Sequence, residues 1–407
     1  MMVSATFPEG RNRPGSIVIV TAIGVGQILG WGSAFYLMAV IARPVAEETG
    51  WAYTTIISGH MLSLLIAGLV SPRVGRVIES FGGRGVLAFS SLLMAAGHLL
   101  LSLSQGLLTW YAAWSLLGLA MACGLYDAAF STLGQIYGVR ARPAITNVTL
   151  FGGLASTICW PFTAFMIADF GWREACLAFA AIHLFLMLPV HSLCVPKAPA
   201  KDVPPPQDDI ERDEDPRPFS QLFLLLGVIL AIAAAVTAIV SVHLIAILQG
   251  RGLSLASAVA TGALFGPAQV MARVLERMLG GRIHPIWTLV ISILLTCCGL
   301  LLLGLETDPS LIIFALILYG AGNGINSIAK GTVPLALFGP RYYARIIGRL
   351  ALPQLIIQAL APVLVALLMD RMGSDAALHV LAALTLLNCA GVILLVQITK
   401  AQRTMTG

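Results

Sequence analysis

Charge is what this sequence has least of. Asp, Glu, Lys and Arg make up only 11% of its 407 residues, hydrophobic residues make up 58%, and the mean hydropathy is +0.90. A chain this poor in polar surface is not a water-soluble globular protein of that length and belongs in a lipid bilayer. Strand-length alternation of polar and apolar residues is also missing, which excludes a membrane barrel. The seven cysteines show no C-x-x-C spacing, so neither a metal site nor a disulfide framework is expected. Gly24, Gly26, Gly30 and Gly32 lie inside an apolar run with no strand before them, unlike a dinucleotide loop. Ala329 and Gly331 flank Lys330 where a phosphate loop needs Gly and Ser or Thr. With no nucleophile, metal or phosphate motif, an enzyme is not expected, nor is a cofactor or bound metal.

What is there instead is a series of long apolar runs. Crossing about 30 Å of hydrocarbon takes about 20 helical residues. Such runs fall near 16–40, 54–75, 85–104, 108–136, 144–168, 173–195, 219–248, 253–275, 285–304, 310–336, 346–369 and 376–399. The expected fold is an all-α membrane protein with twelve transmembrane helices in two six-helix halves, 1–195 and 219–407. The linker between them, 196–218, is crowded with acids, bases and prolines and cannot bury enough apolar surface to order itself.

The halves look like copies. Shifting the second back by about 200 positions lays Arg273-Val-Leu-Glu276 on Arg76-Val-Ile-Glu79, each followed closely by Gly-Gly-Arg, ending at Arg282 and Arg84. Gly118 then falls on Gly320, Gly124 on Gly324, Gly138 on Gly339, Pro161 on Pro362 and Asp169 on Asp370. Agreement at one offset is the mark of an internal repeat. The paired prolines are expected to kink their helices.

Sidedness follows from the bases. With both termini and the linker in the cytoplasm, nineteen of the 24 Lys and Arg lie on the inner side, four (Arg43, Arg173, Arg251, Arg371) on the outer, and Lys330 lies within a span. The expected location is a cell inner membrane. The net charge of +5 reflects this sidedness and does not imply a nucleic-acid partner.

After the second run comes Gly75-Arg76-Val-Ile-Glu79-Ser-Phe-Gly82-Gly-Arg84. This resembles the loop G-x-x-x-D-R-x-G-R-R of the major facilitator superfamily, with Gly75, Gly82 and Arg84 matching, Glu79 for the acid, and Ser80 and Gly83 for two bases. The resemblance implies a cytoplasmic gate, here Gly75, Arg76, Glu79, Gly82 and Arg84, echoed by Arg273 and Glu276 and joined by Arg142. A carboxylate at a helix end can pair with bases across a domain interface and lock one conformation; the bland alternative is that these charges only anchor the cytoplasmic surface. Tyr137-Gly-Val-Arg-Ala-Arg142-Pro-Ala144, with Gly152 and Gly153, resembles the opening of the fifth helix in the monocarboxylate-transporter and oxalate/formate-antiporter branch.

Asp127 and Lys330 are the acid and the base placed clearly inside the apolar band, on corresponding helices of the two halves. Each is costly there and needs a partner or a wet cavity. Lys330 is expected to bind an anionic substrate group, or to pair with Asp127 when the site is empty, and Asp127 to take part in proton coupling. A fixed ion pair, or a Lys reaching for the surface, is the structural alternative. Asn323 and Asn326 share a helical face with Lys330. Gln27, Tyr126 and Arg349 complete the candidate substrate-binding set, although Arg349 also reads as a helix-end cap. Cys123, one turn before Asp127, is either packing or a soft-metalloid ligand. His60, His98, His183 and His243 lie in or near spans, and no spacing favours one as a proton carrier.

The resulting expectation is a monomeric secondary active transporter in the lipid bilayer, moving a small-molecule substrate, first an organic monoanion, with H+ coupling and rocking of the halves. The alternative is export of a hydrophobic drug or a trivalent metalloid such as arsenite or antimonite.

Overall fold

The computed structural model describes residues 16–197, 221–279, 283–306, 308–373 and 375–406. Most of the proposed linker, and Arg282 of the second Gly-Gly-Arg, lie outside the described residues. Helices account for nearly all of the rest, because backbone polar groups in hydrocarbon must be satisfied within their own segment.

Twelve crossings follow in order. The first half contains α1 (Ile17–Thr49), α2 (Tyr53–Phe81), α3 (Gly83–Ser102), α4 (Leu107–Arg140), α5 (Arg142–Asp169) and α6 (Trp172–Cys194). The second contains α7 (Gln221–Gly250), α8 in two pieces (Leu255–Gly262 and Phe265–Leu279), α9 (Pro285–Leu305), α10 (Pro309–Phe338), α11 (Tyr343–Met372) and α12 (Asp375–Thr406). Eleven of these are long and apolar enough to span as single helices. The run expected at 253–275 is interrupted at Ala263 and Leu264. Pro267 has no N–H for the Ala263 carbonyl, so a regular ladder cannot pass that point.

Breaks are concentrated in the first half. A π-helical turn occupies Trp31–Phe35 of α1, and another occupies Ile182–Met187 of α6, just before Pro189. In α4 the chain is extended at Leu125 (φ −81°, ψ −169°), and α5 is interrupted at Leu154. Pro161 and Pro362, expected to mark kinks, sit inside helical segments, and a separate interruption of α5 follows Gly152 and Gly153.

The repeat is visible in packing. Gly118 lets α4 approach the α2 backbone at Ser63, and the matched Gly320 lets α10 approach the α8 backbone at Phe265. The first half packs around Trp110, Trp114, Phe130 and Phe179, all fully buried. The halves meet where α2 packs on α11, α5 on α8, and α4 on α11. These contacts gather toward the face carrying the α2–α3, α4–α5, α8–α9 and α10–α11 connections, termed the linker face below. Gly82, at φ +86°, makes one of those connections in a single residue, a conformation that suits glycine.

Candidate functional site

At the interface of the halves, Lys330 Nζ of α10 lies 2.9 Å from Asp127 Oδ1 of α4. Both side chains are largely buried. The break at Leu125 places Asp127 in the first turn of a new helical segment, Tyr126–Tyr137, where the amide ends of the helix favour a carboxylate. Asp127 also faces a narrow gap between α2, α4 and α11 lined by Ser71, Gly75, Ser131 and Gly348.

Gln27 holds that break in shape. It is 1% exposed, its Nε2 donates to the Gly124 carbonyl at 2.8 Å, and its Oε1 accepts from Trp31 Nε1 at 3.2 Å. Its polar ends are therefore spent on α1 and α4. Tyr126, beside Asp127, stacks on Phe130, lies against Trp31, and donates to the Thr149 carbonyl at 3.4 Å.

The same Thr149 carbonyl accepts from Arg273 Nη1 of α8 at 3.0 Å, across the two halves. Arg273 is only 5% exposed and also donates to the Gly324 carbonyl and to Gln269 Oε1. Its acceptors are neutral oxygens, so hydrogen bonds satisfy it without cancelling its charge. Gly153 makes room for this guanidinium. The repeat places buried Gln354 where the first half has Gly153, and Arg76, the counterpart of Arg273, stays exposed.

The polar stripe expected on α10 divides. Lys330 reaches across to α4, whereas Asn323 and Asn326 line a cavity inside the second half with Thr237, Ser292, Thr385 and Asn388. Asn323 Oδ1 accepts from Thr237 there at 2.7 Å. The cavity is about 20 Å³, room for one water molecule.

Two ion pairs join the halves at the linker face. Glu79 Oε2 of α2 meets Arg345 Nε of α11 at 2.8 Å, and Glu276 Oε1 of α8 meets Arg142 Nη2 of α5 at 3.1 Å. The repeat exchanges α2 with α8 and α5 with α11, so the two pairs join corresponding helices, with Arg345 two residues past the match of Arg142. Arg142 also donates to the Ile283 carbonyl and to Thr288, while Arg277 donates to Asn147 across the interface at 2.8 Å. Arg76 and Arg84 pair with none of the described carboxylates. Gly75 and Gly348 pack backbone to backbone: a methyl at Gly75 would strike the Ala344 carbonyl, and one at Gly348 would strike that of Ser71. Arg349 is half-buried on α11, one turn beyond Arg345.

Sequence reasoning had placed Arg345 only among the inner-side bases. The repeat does not single it out: at the offset that lays Gly138 on Gly339 and Pro161 on Pro362, Arg142 falls on Tyr343, two residues before Arg345.

Comparison with known proteins bears on the whole arrangement. The human organic anion transporter MFSD10 (TETRAN) superposes with a TM-score of 0.73 at 15% identity, covering 93% of this chain and all of the other. The proton:xylose symporter XylE gives 0.72 at 12% identity, covering 93% and 95%. FucP, in an outward conformation, also gives 0.72 at 12%, covering 93% and 99%. Among curated sequences, a Thermoproteus tenax uncharacterized 38 kDa protein is 29% identical over 159 residues, 39% of this chain and 41% of its own length. Human monocarboxylate transporter 11 is 25% identical over 192 residues, 46% of this chain and 38% of its own length. The matches thus span about two fifths of the curated relatives. A family model described as Major Facilitator Superfamily matches residues 23–325. With three quarters of its length matched and twelve crossings arranged in two related halves, the chain belongs to the Major Facilitator Superfamily, as a membrane transport protein.

Proposed function

We propose that this protein is a secondary active transporter that carries a small organic monoanion across an inner membrane, coupled to protons, by alternating access. The observation that carries the anion reading is the charge balance at the interface. Asp127 offsets Lys330, and Arg273 adds a buried positive charge held only by neutral oxygens. An anion entering there meets one uncompensated cation in a low-dielectric setting. Two similarities point the same way: a relative named as a monocarboxylate transporter and a fold neighbour named as an organic anion transporter.

In this reading the substrate carboxylate displaces Asp127 from Lys330, and the released Asp127 takes up a proton. Loss of that cross-half ion pair weakens the hold of α4 on α10. The linker face then opens when Glu79–Arg345 and Glu276–Arg142 part. The distribution of Lys and Arg supports a cytoplasmic side for that face, both termini and the linker. One chain contains both halves of the site and works as a monomer.

The test uses purified protein in liposomes carrying an internal pH dye, challenged with a panel of small carboxylates and with arsenite. Proton movement with a carboxylate, lost in both Lys330→Met and Arg273→Gln, is the expected result. A response to arsenite alone would replace this reading with metalloid export and turn attention to Cys123, just before the Leu125 break of α4.

A further inference from the structure

Well away from the ion pair, the first half contains a group of buried histidines on α3 and α6. His98 is fully buried. Its Nδ1 lies 2.6 Å from the Met94 carbonyl of its own helix, and its Nε2 lies 2.8 Å from the Ser33 carbonyl of α1. Both contacts have the geometry of a ring N–H pointing at oxygen. A neutral imidazole has one donor nitrogen and one acceptor nitrogen, and a carbonyl oxygen only accepts. The neutral ring would therefore set a lone pair against a carbonyl oxygen in a water-poor interior. Imidazolium alone satisfies both contacts.

We propose that His98 is a proton-binding site and that the π turn of α1 holds the proton in place. Adding H+ to the ring creates the second N–H, which donates to Ser33; removing it leaves that carbonyl without a donor. Ser33 sits inside the Trp31–Phe35 π turn, and its hydroxyl bonds to His183 Nε2 at 2.8 Å. His183 in turn sits inside the π turn of α6 and stacks on His98 at 5.6 Å, with the rings 15° apart. Two local departures from α-helix thus face one another at this histidine pair, the kind of irregularity that marks functional positions. Phe179 stands 5.7 Å from the His98 ring, tilted 43° to it.

Other charges around His98 are sparse. The titratable groups on the elements packed against it include His183, His191, Cys176, Arg173 and Glu174 of α6, Tyr36 and Glu48 of α1, His60 of α2, and Cys123, Tyr126 and Asp127 of α4. Only His183 is in ring contact with it, and no described carboxylate, Lys or Arg hydrogen-bonds or ion-pairs with it. A second proton on His183 would be repelled by the first, so the pair holds one. His191, bonded to Ser91 and the Leu87 carbonyl, lies beyond. Because Trp31 of the same π turn rests on Tyr126, next to Asp127, any straightening of α1 that removes the Ser33 carbonyl would release this proton and disturb the ion pair together.

The site is tested without substrate, so its failure is separable from failure of the transport reading. Protein labelled with ¹⁵N-histidine in lipid nanodiscs is titrated from about pH 5 to 8, the range in which histidine ordinarily changes charge, and the ring nitrogens are observed by solid-state NMR. The expected result is one histidine with both nitrogens protonated after the exposed histidines have become neutral, and loss of that signal in His98→Gln. Where His98→Gln does not fold, His183→Gln and His191→Gln must each leave the signal in place. Neutral-ring signals for every histidine at the upper end of the titration would overturn the proposal, as would a two-donor signal that vanishes with His183→Gln or His191→Gln.

Discussion

Glu79 of α2 and Arg345 of α11 meet at 2.8 Å although they are 266 positions apart, and their contact is repeated by Glu276 of α8 and Arg142 of α5. Each half supplies one acid and one base, so the ion pairing at the linker face is reciprocal. The Glu79–Arg345 pair is 20 to 28% exposed, where an ion pair is worth about 1 kcal/mol, an about five-fold bias in a two-state equilibrium. Glu79→Arg or Arg345→Glu should therefore raise the thiol-labelling rate of Ser131→Cys, placed in the gap behind the pair, by about that factor. The double exchange should bring the rate back toward its starting value. Equal labelling in singles and double would show that the pair does not hold this face.

Gly75→Ala should disfavour the closed linker face more strongly than loss of either ion pair. The added methyl points at the Ala344 backbone carbonyl, which cannot rotate away as a side chain can. Overpacking of this kind typically costs about 1–3 kcal/mol. Gly85→Ala is the control: nothing stands within 4 Å of the new methyl, and alanine gains about 1 kcal/mol over glycine within a helix. Spin-label distances between the linker-face ends of α2 and α11 should lengthen in the first variant and remain unchanged in the second.

The reach of the sequence can be judged from these same residues. Apolar length revealed the crossings, and the internal offset revealed which helices correspond, because both are properties of a single chain read along its length. The offset brings Arg142 only near Arg345, and pairing Arg345 with Glu79 required knowing that α2 packs against α11. The stripe of Asn323, Asn326 and Lys330 divides for a related reason. Helical spacing puts the three on one arc, yet a long Lys side chain crosses to α4 while the two short amides stay within their own half. The break in α4 at Leu125 was hidden because Cys-Gly-Leu-Tyr is apolar throughout and contains no proline. Neither π turn has a compositional mark beyond Pro189, so the contact between His98 and His183 that they frame could not be read from the sequence.

Gln27→Leu should destabilise the protein by about 1–3 kcal/mol, the cost of a buried acceptor left without its donor, here the Gly124 carbonyl. Gln27→Glu should be worse, since a carboxylate would face that carbonyl. Thermal unfolding in detergent measures the loss. If Gln27 served the substrate and not the break, apparent affinity would change while the melting temperature stayed put.

The ion pair at the centre allows the sharpest comparison. Lys330→Met leaves Asp127 as a buried anion without its partner, and Asp127→Asn leaves Lys330 as a buried cation. Removing one member of a buried pair costs about 3–5 kcal/mol, whereas replacing both is often close to neutral. The melting temperature should therefore fall in each single variant and recover in Lys330→Met/Asp127→Asn. A pair that only braces the halves would regain transport along with stability in the double variant. A pair that exchanges its partner for a substrate carboxylate would regain stability alone, because the base that receives the anion and the acid that takes the proton are both gone. Measuring unfolding and carboxylate-driven proton flux on the same three variants therefore separates a brace from a binding site.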